Sequence, residues 1–394
     1  MATPARRSVP GVLAGCAFAV LWGLALAGCA RASEGSRVGG PVLYVANSRD
    51  GTLTRIDTAD GHVLGPPVPA GVAPLQLAVG PSGEVLVQPV APGPDAPLTH
   101  VGPPAVGGRA HPLPLEPGAR SALLAGGGRY AAVAYRAAAA PATESDGRCR
   151  VVQVELARGH PGPARDVCAG RDSVVGLAAS SDGALVYLAL WHRPDTAQAC
   201  DGPTGSRVVA LRLATGALVA TAPLEGLPGP LLLAPGPGGG GQRLYAAEAL
   251  PGPDLALPGE APGECAWASY GKRFEGARAW RVRALDGTTL APEGEHTVPY
   301  PPRALAATPD GGDAFVLAGR AALLRLDPAG GPARLFATLP DRAVGLAATD
   351  DQVFTLDPFG DRVWRLDRTR GRPLRAIPTG RSPLGLVLAP AGGA

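Results

Sequence analysis

Histidine, cysteine and arginine are the residue types from which this chain could build chemistry. No two of the six histidines have the spacing of metal ligands, no Cys-x-x-Cys occurs, and His192 with Asp195 is the nearest approach to a polar cluster. The glycine-rich run at 236–241 lacks the Lys-Ser/Thr of a phosphate loop. The sequence therefore predicts no metal and no cofactor, and it favours a binding protein over an enzyme.

Cys29 ends a segment that is typical of an export signal. Arg6 and Arg7 precede an apolar run, which closes with Leu-Ala-Gly-Cys at positions 26–29. This ending resembles the bacterial lipobox, in which cleavage falls before the cysteine and the thiol is acylated. We therefore expect a lipid on Cys29, with an uncleaved transmembrane anchor as the alternative.

A lipobox divides the chain into three parts. Residues 1–28 are then a signal peptide, residues 29–40 a lipidated cysteine with a flexible tether, and residues 41–394 the folded domain. The protein would be exported and anchored in a membrane by its N-terminal lipid, at the cell surface or in the periplasm.

Composition limits the folded domain to short strands and many turns. The 394 residues include 56 Gly and 44 Pro, more helix breakers than a helix bundle tolerates. A hydrophobic fraction of 46% still allows a large core, and the net charge of +3 gives no electrostatic reason to expect nucleic acid as a partner.

A short apolar strand followed by a tight turn recurs seven times. The clearest copies have the form Leu-Ala-Ala-x-x-Asp-Gly, and the last three are 41 and 40 residues apart, which is the length of a four-stranded propeller blade. The copies begin at Leu77, Leu123, Leu177, Leu233, Leu305, Leu346 and Leu386.

Single aspartates close the predicted third strands. They are Asp57, Asp286, Asp327 and Asp367. An aspartate at such a point begins a turn, because its carboxylate accepts hydrogen bonds from nearby backbone N–H groups. A calcium site is the alternative, but each aspartate stands alone in its repeat.

The N-terminal strand of the domain carries a family signature. Tyr44-Val45-Ala46-Asn47 differs by one residue from the Tyr-Val-Thr-Asn motif of YVTN-repeat β-propellers, and residues 359–392 repeat the strand–Asp–turn–strand pattern that follows it. The chain therefore resembles the YVTN-repeat family over nearly all of residues 41–394. This resemblance implies an all-β, seven-bladed β-propeller of four-stranded antiparallel blades and supplies no catalytic residues.

The two ends of the domain predict how the ring closes. Residues 42–46 match a second strand of the repeat, and residues 384–389 match a first strand. The C-terminal strand should therefore complete the blade begun by the N-terminal three, in a velcro closure that removes the open sheet edges.

Long insertions are predicted on one face of the ring. Residues 137–148, 191–205 and 251–278 separate second from third strands in blades three to five, and such loops share a face with the connections between blades. Trp267 and Tyr270 in the third insertion are candidate ligand-binding residues. The alternative is that the aromatics of this insertion, which include Phe274 and Trp280, form a small apolar cluster.

Arginines precede five of the seven first strands on this face. They are Arg120, Arg171, Arg303, Arg342 and Arg381. Together they could ring the channel mouth with positive charge and bind a carboxylate, a phosphate or an acidic sugar. An Arg-rich composition is the alternative explanation of their placement.

Four cysteines remain after Cys16 leaves with the signal and Cys29 takes the lipid. They allow three pairings in an oxidising compartment. A hairpin turn near residues 158–162 favours Cys149 with Cys168, and insertions on the same face favour Cys200 with Cys265.

These observations predict a lipid-anchored, monomeric propeller that binds a protein or a small anionic ligand and does no chemistry of its own. Two alternatives are a lactonase- or lyase-like propeller enzyme and a non-catalytic subunit of a periplasmic redox complex.

Overall fold

The first and last strands of the folded region pair with each other. In the computed structural model, β1 (Val42–Asn47) pairs antiparallel with β29 (Pro383–Leu388) on one side and with β2 (Thr52–Asp57) on the other, and β3 (Val68–Pro69) completes the sheet. The predicted velcro closure is confirmed. The structure describes residues 40–90, 96–103, 109–113, 120–127, 129–136, 149–168, 172–180, 182–192, 205–250, 274–340 and 342–389.

Six further blades follow this first one around the ring. Blade two contains β4 (Pro74–Val79), β5 (Val85–Pro89), β6 (Leu98–Val101) and β7 (Ala110–Leu113). Blade three contains β8 (Arg120–Gly127), β9 (Tyr130–Arg136), β10 (Cys149–Glu155) and an outer strand split into β11 (His160–Pro161) and β12 (Arg165–Asp166). Blade four contains β13 (Asp172–Ala179), β14 (Leu185–His192), β15 (Arg207–Arg212) and β16 (Ala217–Pro223).

The remaining blades have the same order of strands. Blade five contains β17 (Leu227–Pro235), β18 (Gln242–Leu250), β19 (Ala279–Asp286) and β20 (Pro292–Val298). Blade six contains β21 (Pro302–Ala307), β22 (Ala314–Ala318), β23 (Ala322–Leu326) and β24 (Arg334–Thr338). Blade seven contains β25 (Val344–Ala348), β26 (Gln352–Asp357), β27 (Arg362–Asp367) and β28 (Pro373–Pro378). The protein is therefore an all-β, seven-bladed propeller of four-stranded antiparallel blades, as predicted.

Loops alternate between two faces of the ring. We call the crossover face the one that carries the loops between second and third strands and the connections between blades. We call the turn face the one that carries the first-to-second and third-to-fourth turns. No helix among the described residues has the length and apolar character needed to span a membrane.

Apolar clusters lie between neighbouring blades rather than within one sheet. Between blades four and five, for example, Tyr187 and Val208 pack against Leu244 and Leu285, all fully buried. The second strand supplies a buried aromatic ring at the same register position in five blades, and these rings belong to Tyr44, Tyr187, Tyr245, Phe315 and Phe354. Tyr44, the first residue of the Tyr-Val-Ala-Asn motif, therefore packs between two blades.

Two of these tyrosines also bond the next blade. Tyr44 donates a hydrogen bond to the Gly83 carbonyl, 3.3 Å away, and Tyr187 donates one to the Gly287 carbonyl. Burial raises the pKa of Tyr187 to about 12, with a smaller contribution from Asp182. The hydroxyl therefore stays protonated and keeps donating throughout the physiological range.

Arginines join blades at the turn face. The guanidinium groups of Arg165, Arg243 and Arg365 each donate to a third-to-fourth turn carbonyl of the following blade, at 3.2, 3.3 and 2.9 Å. These three arginines therefore stabilise the contacts between neighbouring blades.

The predicted aspartate turns are present. Asp57 Oδ1 accepts from the Ala59 amide at 2.8 Å, and Asp367 Oδ1 accepts from the amides of Thr369 and Arg370 at 2.9 and 2.8 Å. Asp286 and Asp327 accept equivalent amide hydrogen bonds. Turn formation accounts for these carboxylates.

The sequence alignment of blade five was wrong by two residues. Leu231, rather than Leu233, pairs with the second strand at the position that Leu177 occupies in blade four. The bulges of the two blades each add one residue, so the difference lies after the leucine: β13 ends two residues beyond Leu177, at Ala179, whereas β17 ends four residues beyond Leu231, at Pro235. Leu232 and Leu233 therefore stand where blade four has Ala178 and Ala179.

Candidate functional site

All three long insertions emerge on the crossover face. They connect β9 to β10, β14 to β15 and β18 to β19, so the predicted topology is confirmed for the strands that flank them. Most of their residues lie outside the described part of the chain, as do residues 1–39. The predictions for Cys29, Arg171, Cys200, Cys265, Trp267 and Tyr270 therefore remain predictions.

A disulfide cross-links the first insertion at its root. Cys149, the first residue after that insertion, is bonded to Cys168 with a Cα–Cα distance of 5.1 Å. This predicted pair is confirmed. It ties the start of the third strand of blade three to the chain that leaves the short outer strand.

A buried carboxylate cross-links the second insertion. Asp172 has a side chain only 1% exposed, and it contacts His192 Nδ1 at 2.8 Å and the guanidinium of Arg207. His192 ends β14 and Arg207 begins β15, so the same carboxylate holds both ends of the loop. The histidine pairs with Asp172, while Asp195, which the sequence suggested as its neighbour, lies outside the described residues.

The third insertion has the most extensive ion-pair network at its root. Glu248 is fully buried near the end of β18 and contacts the guanidinium of Arg281 near the start of β19. Glu248 also accepts from the amides of Glu225 and Gly226 at 3.0 and 3.1 Å. Arg281 reaches the carboxylates of Glu225 and Glu295 at 2.9 and 3.0 Å. Breaking such a buried pair on one side leaves an uncompensated charge, so replacing either partner is expected to destabilise this root.

Two aromatics assigned to the third insertion pack inward. Phe274 is 7% exposed, and its ring lies over Gly229, where a Cβ atom would come within 2.7 Å of it. Trp280 belongs to β19 and donates to the Phe274 carbonyl at 2.7 Å, beside buried Trp191. For these residues the apolar-cluster alternative is confirmed, and they are not free for recognition.

The described arginines of the predicted ring lie in three successive blades and have partners. Arg303 contacts Glu275 at 3.2 Å, and Arg381 contacts Asp50 at 2.6 Å. The guanidinium carbon of Arg342 lies 5.3 Å from the centre of the Phe359 ring. The backbone of Arg120 begins β8, while its side chain lies outside the described part. An anion would therefore compete with carboxylates for Arg303 and Arg381.

Hydrogen bonds from Arg381 lower the pKa of Asp50. The backbone amide makes the larger contribution and the guanidinium the next. Asp50 therefore stays ionised, and able to pair with Arg381, to lower pH than an isolated aspartate would.

Large exposed apolar side chains also lie on this face. Phe359 is 70% exposed at the tip of the β26–β27 loop, and Tyr300 is 52% exposed in the connection that precedes β21. Aromatic residues beside arginine are the composition that protein interfaces favour. Sequence reasoning missed both residues, although the Pro-Phe-Gly and Pro-Tyr-Pro contexts mark exposed turns.

Within the described residues, no group of three or more His, Cys, Asp or Glu side chains is placed to hold a metal ion. His192, whose ring Asp172 orients, is the described residue best arranged for proton transfer.

Comparisons with known proteins agree on the fold. The chain matches no protein-family model and no curated protein, so the resemblance to the YVTN-repeat family stays a prediction. A protein from Lactobacillus plantarum is similar over 89% of this chain and 99% of its own, at 13% identity and a TM-score of 0.56. Hydrazine synthase from Kuenenia stuttgartiensis is similar over 84% and 93%, at 14% identity and 0.53. Apo AztD from Citrobacter koseri is similar over 88% and 97%, at 14% identity and 0.50.

Identities this low show the propeller fold alone. Structural similarity extends to 1212 chains, so the fold by itself selects no activity.

Proposed function

We propose that this protein is an exported, lipid-anchored propeller that binds a protein partner or a small anionic ligand on its crossover face and does no chemistry of its own. The observation that carries the proposal is shared by three consecutive blades. Each long insertion is cross-linked where it leaves the ring, by Cys149–Cys168, by Asp172 with His192 and Arg207, or by Glu248 with Arg281.

Cross-linked roots suit binding because they present variable loops from a fixed base. Loops on a rigid scaffold can change in length and sequence without disturbing the blades, and fixed roots reduce the entropy lost when a partner binds. Phe359, Tyr300 and the neighbouring arginines extend the same face to blades six and seven.

Site-specific photo-crosslinking tests the face. A benzophenone amino acid at position 359 or 300 should give one discrete adduct in cells, while the same group at Leu335 or Leu374, exposed on outer strands, should give none. Added salt should lower the adduct yield if the partner is acidic. Adducts from the outer-strand positions alone would contradict the proposal.

Membrane fractionation tests the anchor separately. Cys29→Ser should release the protein from the membrane fraction without changing its melting temperature, because the anchor lies outside every blade. Retention of the variant with its apolar segment uncleaved would favour a transmembrane anchor instead.

A further inference from the structure

A cavity of about 370 Å³ lies at the turn-face end of the channel, away from the insertions. Its walls are the last residues of the inner strands of blades three, four and five, and it reaches the exposed turn at Pro235. The lining includes Ala125, Leu177, Ala179, Leu231, Leu233 and Gln242.

A step in side-chain size around the ring creates this space. After the leucine of the repeat, blades four, six and seven continue with two alanines, as in Ala178–Ala179 and Ala347–Ala348. Blade five continues with Leu232 and Leu233 at the same register, on a strand that extends to Pro235. The cavity is thus bordered by small side chains in blades three and four and by larger leucine side chains in blade five.

The chemistry of the walls defines what they can bind. None of the lining residues carries a charge, and Gln242 supplies the side-chain amide. Inner strands also have an unpaired edge toward the channel, and one backbone N–H group on such an edge, that of Leu124, donates to Gln76 Oε1 at 2.7 Å. An apolar wall with a few hydrogen-bonding groups is the usual composition of a small-molecule site.

We propose that this cavity binds a small, neutral, mainly apolar molecule that carries one or two hydrogen-bonding groups. Apolar cavities of about 150 Å³ accept benzene, so the volume here suits a molecule of two rings or an aliphatic chain of about ten carbons. A charged ligand is disfavoured, because nothing in the lining would compensate the charge it must desolvate.

Fluorescence titration with N-phenyl-1-naphthylamine, a neutral apolar probe, tests the site. The full-length protein should bind the probe saturably at one site, and decanol should displace it while decanoate should not. Ala179→Phe fills the cavity and should weaken binding at least tenfold. Ala125→Leu, a smaller filling change on another wall, should weaken it less.

Leu218→Gln is the matched control, because Leu218 is 63% exposed on the outer strand of blade four. It should leave probe binding unchanged, and circular dichroism should show all three variants folded. Non-saturable binding, displacement by decanoate as well as decanol, or equal loss in the Leu218→Gln variant would each overturn the proposal. The crossover-face experiments use other residues, so either proposal can fail without the other.

Discussion

Removing the Cys149–Cys168 disulfide should lower the free energy of unfolding by an amount that its loop length predicts. The bond closes a loop with a sequence separation of 19 residues, for which loop-closure entropy gives about 3 kcal/mol at 25 °C. The bond also reinforces a weak part of the blade, because the outer strand of blade three consists of two pieces with two residues each. Unfolding about 350 residues carries an entropy near 0.7 kcal/mol/K, so the melting temperature should fall by about 4 °C.

Differential scanning calorimetry of Cys149→Ala/Cys168→Ala against the oxidised wild type measures this shift. Alanine avoids burying a new hydroxyl at Cys149, which is 4% exposed. The Cys200→Ala/Cys265→Ala variant is the control. In this control variant Cys149–Cys168 is the remaining disulfide. Reductant should therefore lower the melting temperature of the variant by about 4 °C as well. A double-alanine variant that melts with the wild type would refute the reasoning, and peptide mapping that joins Cys149 to Cys265 would refute the pairing.

Three further predictions concern stability. Deleting residues 383–394 removes β29 and reopens the ring, so it should lower the melting temperature far more than deleting residues 30–40, and equal effects would contradict the closure. Ala73 has φ of +43°, so Ala73→Gly should stabilise by up to about 1 kcal/mol in urea denaturation, whereas Ala70→Gly, at an ordinary φ, should destabilise. Burial and then Arg243 lower the pKa of His296, so the unfolded chain binds its proton first and stability should fall as pH drops below about 6.5. His296→Gln should remove that part of the pH dependence and exposed His111→Gln should not; an unchanged slope would contradict the assignment.

The fold could be predicted because its signals are local and repeated. Tyr44 occupies a buried position between blades that aromatic residues also occupy in other second strands. Asp57 begins a turn in which its carboxylate bonds an amide only two residues away. Two of the repeat leucines, Leu305 and Leu346, lie as predicted in the first strands β21 and β25 of their blades. Blade five was misaligned because three consecutive leucines, Leu231 to Leu233, leave the register of the repeat open, and because β17 continues to Pro235 before its turn.

The site could be predicted only as a face. Asp172 lies 20 and 35 residues from His192 and Arg207, and Glu248 lies 33 residues from Arg281. These residues come together only because the register of the strands places them side by side. Their spacing along the chain therefore does not predict the ion pairs. The aromatic content of the third insertion wrongly suggested that Phe274 could bind a ligand. Its ring instead packs over Gly229, which leaves room for it because glycine has no side chain.

The position of β1 within its blade fixes the face of the ring at which the described chain begins. A second strand begins on the turn face, and Ala389, which follows β29, donates to the Val42 carbonyl there at 2.8 Å. With the proposed lipid on Cys29, the twelve residues 29–40 would span at most about 40 Å and would join the ring on its turn face. The roots of the insertions lie on the opposite face, so the anchor would not obstruct the proposed binding surface.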